Sequence, residues 1–218
     1  MNASRRRALI AAGCFPFTIG ALQEALAAGR VPTMQGINTI KGDVRVNDAP
    51  ARVGQNLANG DTVSIGADSE ALYVIGDSAF FLRANGRARI ESAVNGKVVL
   101  RVLAGAMASV FGKGQHSLHT ATATVGVRGT AAYLDTSGPS TYFCLCYGAA
   151  DLSLTARPNQ APSSLSTRHH DSPFYIAADG TLTPAPTIGH TDTELIFLEG
   201  LFGREPPFVG DPTITPYR

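Results

Sequence analysis

The chain contains no tryptophan, few charged residues and no basic segment interleaved with aromatic residues. Charged residues make up 16% of its 218 residues, and the formal net charge is +1. The first 28 residues carry three arginines and one glutamate, so the remainder of the chain comes to −1. A near-neutral surface offers no electrostatic attraction to nucleic acid or to an anionic membrane. The sequence therefore predicts no nucleic-acid partner and no membrane-surface partner.

The sequence motifs of common enzyme classes are absent as well. There is no phosphate-binding loop, no Gly-x-Gly-x-x-Gly after a strand, no His-Glu-x-x-His and no nucleophile elbow. The haem attachment spacing Cys-x-x-Cys-His is also missing. We therefore expect a protein that is not an enzyme but a binding or signalling module, whose partner is a protein or glycan of the cell envelope.

Residues 1–28 have the features of an export signal. Three consecutive arginines precede a short apolar stretch, which ends in small residues that suit a signal peptidase. Residues 4–9 (SRRRAL) resemble the twin-arginine signature; an ordinary secretory signal and a lipoprotein site at Cys14 are the alternatives. No later stretch reaches the ~18 apolar residues of a membrane helix. We expect a mature chain that begins near Ala28, has no transmembrane segment, and is periplasmic or secreted.

Residues 35–155 consist of short apolar or alternating runs separated by turn signals. Val98–Leu103 is nearly continuous apolar sequence, as in a strand buried on both faces, and Asn95-Gly96 is the strongest hairpin signal. This pattern predicts an all-β domain of stacked, twisted strands that form a sandwich, a roll or a short solenoid. The predicted strands are Asp61–Ile65, Ala71–Ile75, Ala79–Leu82, Lys97–Leu103, Ala106–Phe111, Thr122–Val127, Ala131–Leu134 and Tyr142–Leu154.

The composition changes in residues 156–218, which we expect to pack on the β domain. The stretch as far as Ser172 is rich in proline, serine and threonine and predicts an exposed loop. A short strand is predicted at Phe174–Ala177, and the single helix at Asp192–Leu201 is preceded by a capping threonine with a glutamate three residues later. A proline-rich tail follows the helix.

Four segments in residues 36–155 form an ordered set that resembles the periplasmic sensor domain of FecR-type proteins. They are Gly60-Asp61-Thr62-Val63, Gly66-Ala67-Asp68-Ser69-Glu70-Ala71, Leu103-Ala104-Gly105 and Thr124-Val125-Gly126-Val127-Arg128-Gly129-Thr130. The resemblance implies an all-β domain and, in the best-known members, a relay from an outer-membrane transporter to a sigma factor. The sequence shows no cytoplasmic segment with a membrane helix, which that relay uses, so we expect a binding role instead.

The last of these segments has a structural interpretation. Gly126 and Gly129 would permit a close backbone approach or a positive φ, so valine at either position should destabilise the fold. Arg128, which precedes Gly129 and Thr130, could bridge backbone carbonyls or a carboxylate such as Asp61 or Asp68. We interpret the segment as scaffold rather than as an anion site.

Two cysteines and two histidines are the main candidate site. Cys144 and Cys146 lie two residues apart in an apolar strand, which places both sulfurs on one face. His169 and His170 follow in a predicted loop that can fold back over them, and His190 lies further on. Cysteine and histidine are ligands of zinc and copper, and a Cys₂His₂ set completes a tetrahedron.

Two other interpretations of the cysteine pair remain open at this point. The thiols could form a strained, easily reduced disulfide, since sulfurs at i and i+2 of a strand are poorly placed for a relaxed bond. They could also be free thiols that pack as small apolar groups. His116 and His119 flank Leu118 in a strand-like stretch, and we expect them at the surface or in turns rather than among metal ligands.

Overall fold

The computed structural model describes residues 34–217, which contain fifteen β-strands and one α-helix. This confirms the prediction of an all-β protein with a helix near its C-terminus. The predicted export signal and Cys14 lie outside the described residues. Between residues 34 and 217, no helix has the length and apolar character needed to cross a bilayer.

The strands are short except for two that are adjacent in the chain and in the sheet. In chain order they are β1 Gly36–Lys41, β2 Val44–Val46, β3 Ala49–Pro50, β4 Thr62–Ile65, β5 Glu70–Ile75, β6 Ser78–Leu82, β7 Arg87–Val94, β8 Lys97–Ala104, β9 Ala106–Val110, β10 His116–His119, β11 Ala123–Asp135, β12 Thr141–Leu154, β13 Ser163–Thr167, β14 Phe174–Ile176 and β15 Leu182–Pro184. The helix, α1, is Asp192–Gly200.

The strands form one curled mixed sheet in which β11 joins two halves. Its first part pairs with β10 and its last part with β9, while β12 runs antiparallel along nearly its whole length. β10 and β8 are parallel, and the other pairs are antiparallel. The order is β1-β5-β6-β9-β11-β10-β8-β7-β4-β2-β3, and β13 and β14 extend it beyond β12.

The two halves of β11 meet at Gly129, where the register with β12 shifts between Arg128 and Ala131. Gly129 has φ +56°, a left-handed conformation that L side chains rarely adopt. Gly126 has no positive φ, and a Cβ there would lie 3.8 Å from the Asp151 carbonyl oxygen, an ordinary contact. The expectation that Gly126 is conformationally required is therefore wrong, whereas Gly129 forms the bend in the sheet.

Arg128 pairs with Asp151 on the neighbouring strand β12, with Nη2 2.9 Å from Oδ2. The predicted partners Asp61 and Asp68 lie elsewhere: Asp61 accepts from the Asn47 side chain. Sequence could not supply this partner, because it depends on the β11–β12 register that places Arg128 opposite Ala149. The scaffold interpretation of the segment is consistent with this cross-strand pairing.

Valine at Gly129 should cost about 1–3 kcal/mol of unfolding free energy, because a β-branched residue is strained at φ +56°. Valine at Gly126 should change stability far less, because the strand position has space and suits a β-branched side chain. Chemical denaturation of both variants measures the difference. Equal losses at the two positions would show that the bend does not depend on glycine.

The sheet buries apolar side chains on both faces. One core lies within the curl and includes Ala132, Leu134, Phe143 and Leu145. The alternate residues of β11 and β12 point to the outer face, where a second core is closed by α1 and the tail. The six residues from Tyr142 to Tyr147 are therefore apolar without interruption because each face of β12 is covered.

The C-terminal region contains two strands that were not predicted, β13 and β15. Residues predicted as an exposed loop contain β13, which pairs with β12 from Gly148↔Thr167 to Leu152↔Ser163. Its serine-rich sequence gave no strand signal because it is a largely exposed edge strand. The helix begins as predicted: Thr191 accepts from the Glu194 backbone, and the Glu194 side chain accepts from the Thr191 backbone, which is a capping box.

Candidate metal centre

Strand β12 places both cysteine side chains on the outer face of the sheet. Cys144 and Cys146 belong to the outer core. Phe143, which precedes Cys144, and Leu145, which lies between the two cysteines, belong to the inner core. Both sulfurs are free thiols with no exposed surface. The predicted common orientation of the two cysteines therefore follows from the period of two along a strand.

The β12–β13 pairing brings His170 to the cysteines. Thr167 lies opposite Gly148, so the chain leaving β13 continues antiparallel alongside Cys146. The His170 backbone N–H donates to the Cys146 carbonyl oxygen at 3.0 Å, and His170 takes a positive φ of 48°. This turn directs the His170 ring to the outer face, where its Nδ1 lies 3.4 Å from Cys144 Sγ.

The fourth residue at this point is His190, in the segment that precedes α1. The Tyr142 hydroxyl fixes this segment by donating to the Pro186 carbonyl and accepting from the Ile188 N–H. Gly189 then turns the chain at φ +80°, where a Cβ would lie 2.4 Å from the Tyr133 hydroxyl. The His190 ring stacks on Tyr133 with 4.5 Å between ring centroids, and its Nε2 lies 3.3 Å from Cys146 Sγ.

The four ligand atoms have the spacing of a tetrahedral metal site. Besides the two sulfur–nitrogen distances of 3.3 and 3.4 Å, His170 Nδ1 lies 3.1 Å from His190 Nε2. All four atoms lie within 4.8 Å of one another. An ion about 2.3 Å from each sulfur and about 2.05 Å from each nitrogen would separate sulfur from nitrogen by about 3.6 Å and the nitrogens by about 3.3 Å.

The outer hydrogen bonds of the two rings leave a lone pair on each nitrogen that faces the sulfurs. His190 Nδ1 lies 2.9 Å from the Ile188 carbonyl oxygen, which can only accept, so Nδ1 carries the proton. His170 Nε2 lies 3.0 Å from an Asp192 carboxylate oxygen and donates to it. In the neutral rings, His170 Nδ1 and His190 Nε2 are thus both unprotonated and aimed at the same point, as metal-binding imidazoles require.

His169, a predicted ligand, lies beside this set rather than in it. Its Nε2 is 2.9 Å from both carboxylate oxygens of Asp192, the residue that also accepts from His170. Cys144, Cys146 and His170 are brought together as expected, and His190 occupies the position we had given to His169. His169 and His170 are adjacent, so their rings diverge, and only one of them reaches the sulfurs.

Asp192 is the buried anchor of the arrangement. Its side chain also accepts from the backbone N–H of Tyr217 at 2.7 Å, and its own N–H donates to the Tyr217 carbonyl at 3.0 Å. Asp192 is the first residue of α1, where the partial positive charge of a helix N-terminus stabilises a carboxylate. In the sequence, Asp192 is part of the helix-start pattern, and that pattern predicts only the capped start of a helix.

The protein environment favours the ligand form of one cysteine. The pKa of Cys144 is lowered, chiefly because its sulfur accepts a hydrogen bond from Cys146. Burial raises the pKa of Cys146, and the negative charge on Cys144 adds to this. A cation at the centre of the site would stabilise both thiolates.

The Cys144–His170–Asp192 contacts also match the order of a nucleophile, a base and an orienting carboxylate. Cys144 has no exposed surface, and His170 is 7% exposed. The rings of Phe208 and Tyr217 lie against His170 at 6.5 and 5.8 Å between centroids. In this closed arrangement the Cys144 sulfur presents no surface to a substrate.

The two remaining histidines of the described residues lie outside the cluster. His116 is 2% exposed and packs against Phe111, so the expectation of a surface position was wrong for it. Burial lowers its pKa, and its Nδ1 accepts from the Val98 N–H. His119 is half-buried and pairs with Glu91. Neither residue belongs to a set that could hold a metal ion.

No protein-family model and no curated protein matches the chain. Two crystal structures of candidate anti-sigma factors from Parabacteroides distasonis ATCC 8503 resemble it at 11% identity. For the 2.50 Å structure the TM-score is 0.47, covering 57% of this chain and 58% of that one. For the 1.65 Å structure it is 0.48, covering 72% and 82%. The chain thus spans little over half of the first, and these similarities assign no function.

Proposed function

We propose that this chain is a non-catalytic zinc-binding protein of the cell envelope. Its β domain holds one Zn²⁺ through Cys144, Cys146, His170 and His190. The observation that carries the proposal is the convergence of two sulfurs and two ring nitrogens on one buried point, with each nitrogen 3.3–3.4 Å from a sulfur and 3.1 Å from the other nitrogen. The envelope location is supported by the arginine-rich N-terminal sequence and by the FecR-type segments.

Zinc fits this donor set better than copper does. Four protein ligands that form a closed tetrahedron of two thiolates and two imidazoles are typical of structural zinc sites, whereas catalytic zinc keeps one position open. Electron-transfer copper sites use a trigonal His₂Cys set with a long axial bond. Here both sulfurs have an equivalent nitrogen neighbour, at 3.4 Å for Cys144 and 3.3 Å for Cys146. The arrangement supports a stabilising role for the ion.

The outer-shell contacts strengthen this assignment. Each imidazole has an acceptor for its second N–H: the Asp192 carboxylate for His170 and the Ile188 carbonyl for His190. Such partners fix the tautomer and orientation of a ligand and raise its basicity. Here the same contacts also direct the second nitrogen of each ring towards the sulfurs. A protein or glycan partner that the resemblance suggests would contact the surface of the domain, since the zinc ligands are buried.

We expect the reduced mature protein to bind one zinc ion per chain after reconstitution and desalting. Elemental analysis gives the stoichiometry. Replacing zinc with Co²⁺ should produce the intense visible bands of a tetrahedral thiolate complex. Cys144→Ser should lose both the ion and the bands, because it removes one thiolate from a closed four-ligand set.

His119→Gln is the matched control, because His119 is a histidine outside the cluster and should leave the stoichiometry at one. Two outcomes would contradict the proposal. One is a fully reduced wild-type protein that retains no zinc. The other is a Cys144→Ser variant that retains one zinc ion per chain.

A further inference from the structure

The four ligands come from three parts of the chain, of which His170 represents the segment between β13 and β14. Cys144 and Cys146 belong to β12, the centre of the domain, whereas His190 belongs to residues 185–217, here called the cover segment. The cover segment contains α1 and the tail, and it closes the outer core over the sheet. Its buried apolar residues are Leu195, Phe197, Leu198, Leu201 and Phe208. An ion bound by all four ligands would connect the cover segment to the domain.

Both ends of the cover segment meet at the metal centre. Asp192 accepts from the ligand His170 and, through its other oxygen, from the Tyr217 backbone N–H near the chain end. The Tyr217 hydroxyl donates to the Thr187 carbonyl at 2.7 Å, which ties the tail to the residues just before His190. The Tyr217 ring lies near both ligand rings, 5.8 Å from His170 and 6.2 Å from His190.

The middle of the cover segment has anchors that do not involve the ion. The Arg83 guanidinium pairs with Glu194 at 2.7 Å. Arg204 pairs with Glu199 and donates to the Asp77 carbonyl at 3.0 Å, and the Tyr147 hydroxyl donates to Glu199. These contacts join α1 to β6, to β12 and to the turn between β5 and β6. The helix is therefore held at several points away from the ion, whereas the residues around His190 and Tyr217 lie beside the metal centre and carry the contacts to it.

Without the ion, the closed arrangement places two nitrogen lone pairs 3.1 Å apart in a buried site. An ion bound to all four donors would hold His190 of the cover segment against the cysteines of β12, where its Nε2 lies 3.3 Å from Cys146 Sγ. With the ion, all four donor atoms are satisfied at once. We infer that zinc occupancy controls closure of the cover segment, so that loss of zinc opens residues 187–193 and 212–217 while α1 stays docked on the sheet.

This inference rests on the proposed zinc site and gives that site a regulatory consequence. Opening would expose the outer-face residues around the cysteines, Tyr133, Tyr142, Cys144 and Cys146, which are buried when the segment is closed. The protein would thus present a different surface in zinc-poor and zinc-rich surroundings. In the closed state, the cover segment itself covers that surface.

Hydrogen–deuterium exchange of the reduced mature chain, zinc-loaded and after chelation, tests the inference. Removing zinc should raise exchange by at least ~10-fold for amides in 187–193 and 212–217, including the Asp192 N–H that donates to Tyr217. Amides of β9 and β11 should keep their protection, since the sheet does not depend on the ion. The control variant His119→Gln should behave as wild type in both states.

Asp192→Asn provides a second measurement in the zinc-loaded state. It removes the carboxylate that joins His170 to Tyr217 while keeping all four ligands, so it should raise exchange at 212–217 with zinc still bound. Equal exchange with and without zinc, in a protein that binds one zinc ion, would overturn the inference and leave the zinc site intact. A protein that binds no zinc would instead overturn the proposed function.

Discussion

Replacing His190 with alanine should abolish zinc binding, whereas replacing His169 with alanine should weaken it by about 10–100-fold. His190 Nε2 lies 3.3 Å from Cys146 Sγ and 3.1 Å from His170 Nδ1, so its removal leaves a three-ligand site. His169 reaches only Asp192, so its removal changes the carboxylate that orients His170. The loss of zinc affinity should therefore be larger for His190→Ala than for His169→Ala, because His169 is an outer-shell partner and not a ligand.

Competition with a chromophoric zinc chelator measures both affinities, and far-ultraviolet circular dichroism checks that each variant is folded. His169, which is next to the ligand His170, is the matched control for His190. The reverse order, with His169→Ala the more damaging change in folded protein, would show that the ion occupies the second cluster, formed by His169, His170 and Asp192.

Three of the four proposed ligands could be identified from local sequence. Cys144 and Cys146 share a face because alternation along a strand is insensitive to tertiary context. His170 was expected near them because few histidines occur in the chain and this pair follows the strand. What sequence could not supply was the choice between His169 and His170, since that depends on the positive φ of His170 and its N–H bond to Cys146.

The sequence does not identify His190 as a ligand, because nothing in its spacing points to the cysteines. Its position depends on three tertiary contacts: the Tyr142 hydroxyl that fixes the preceding backbone, the Tyr133 ring on which it stacks, and the Ile188 carbonyl. A signal was nevertheless available. Gly189 immediately precedes His190, and the capping threonine immediately follows, so the histidine lies at a sharply defined turn into a helix.

The fold shows the same division between local and long-range information. Strands such as β5, β6, β8 and β9 were predicted because each is an apolar run between turn signals. The strand β13 was missed because an exposed edge strand carries no hydrophobic pattern. At Gly129 the sequence predicted a requirement for glycine but not the bend itself. The same prediction was wrong at Gly126. The two positions look alike in sequence, and only Gly129 has a positive φ.

Chelating zinc should lower the melting temperature of the mature protein by about 8–16 °C. A ligand present at 1,000 times its dissociation constant stabilises the folded state by about 4 kcal/mol, if the unfolded chain does not bind it. For a domain of this size, each kcal/mol corresponds to about 2–4 °C. Cys144 and His190 are far apart in sequence, so the unfolded chain should bind zinc weakly and the full difference should be observed.

Differential scanning calorimetry of reduced protein, with zinc and with a chelator, measures this shift. The double variant Cys144→Ser/Cys146→Ser is the control, and it should melt at one temperature in both conditions because it keeps two of the four ligands but neither thiolate. A wild-type protein that binds zinc but melts at the same temperature after chelation would mean that the unfolded chain binds the ion equally well. The tetrahedral arrangement of the folded state would then contribute nothing to affinity, contrary to the closed geometry of the four ligand atoms.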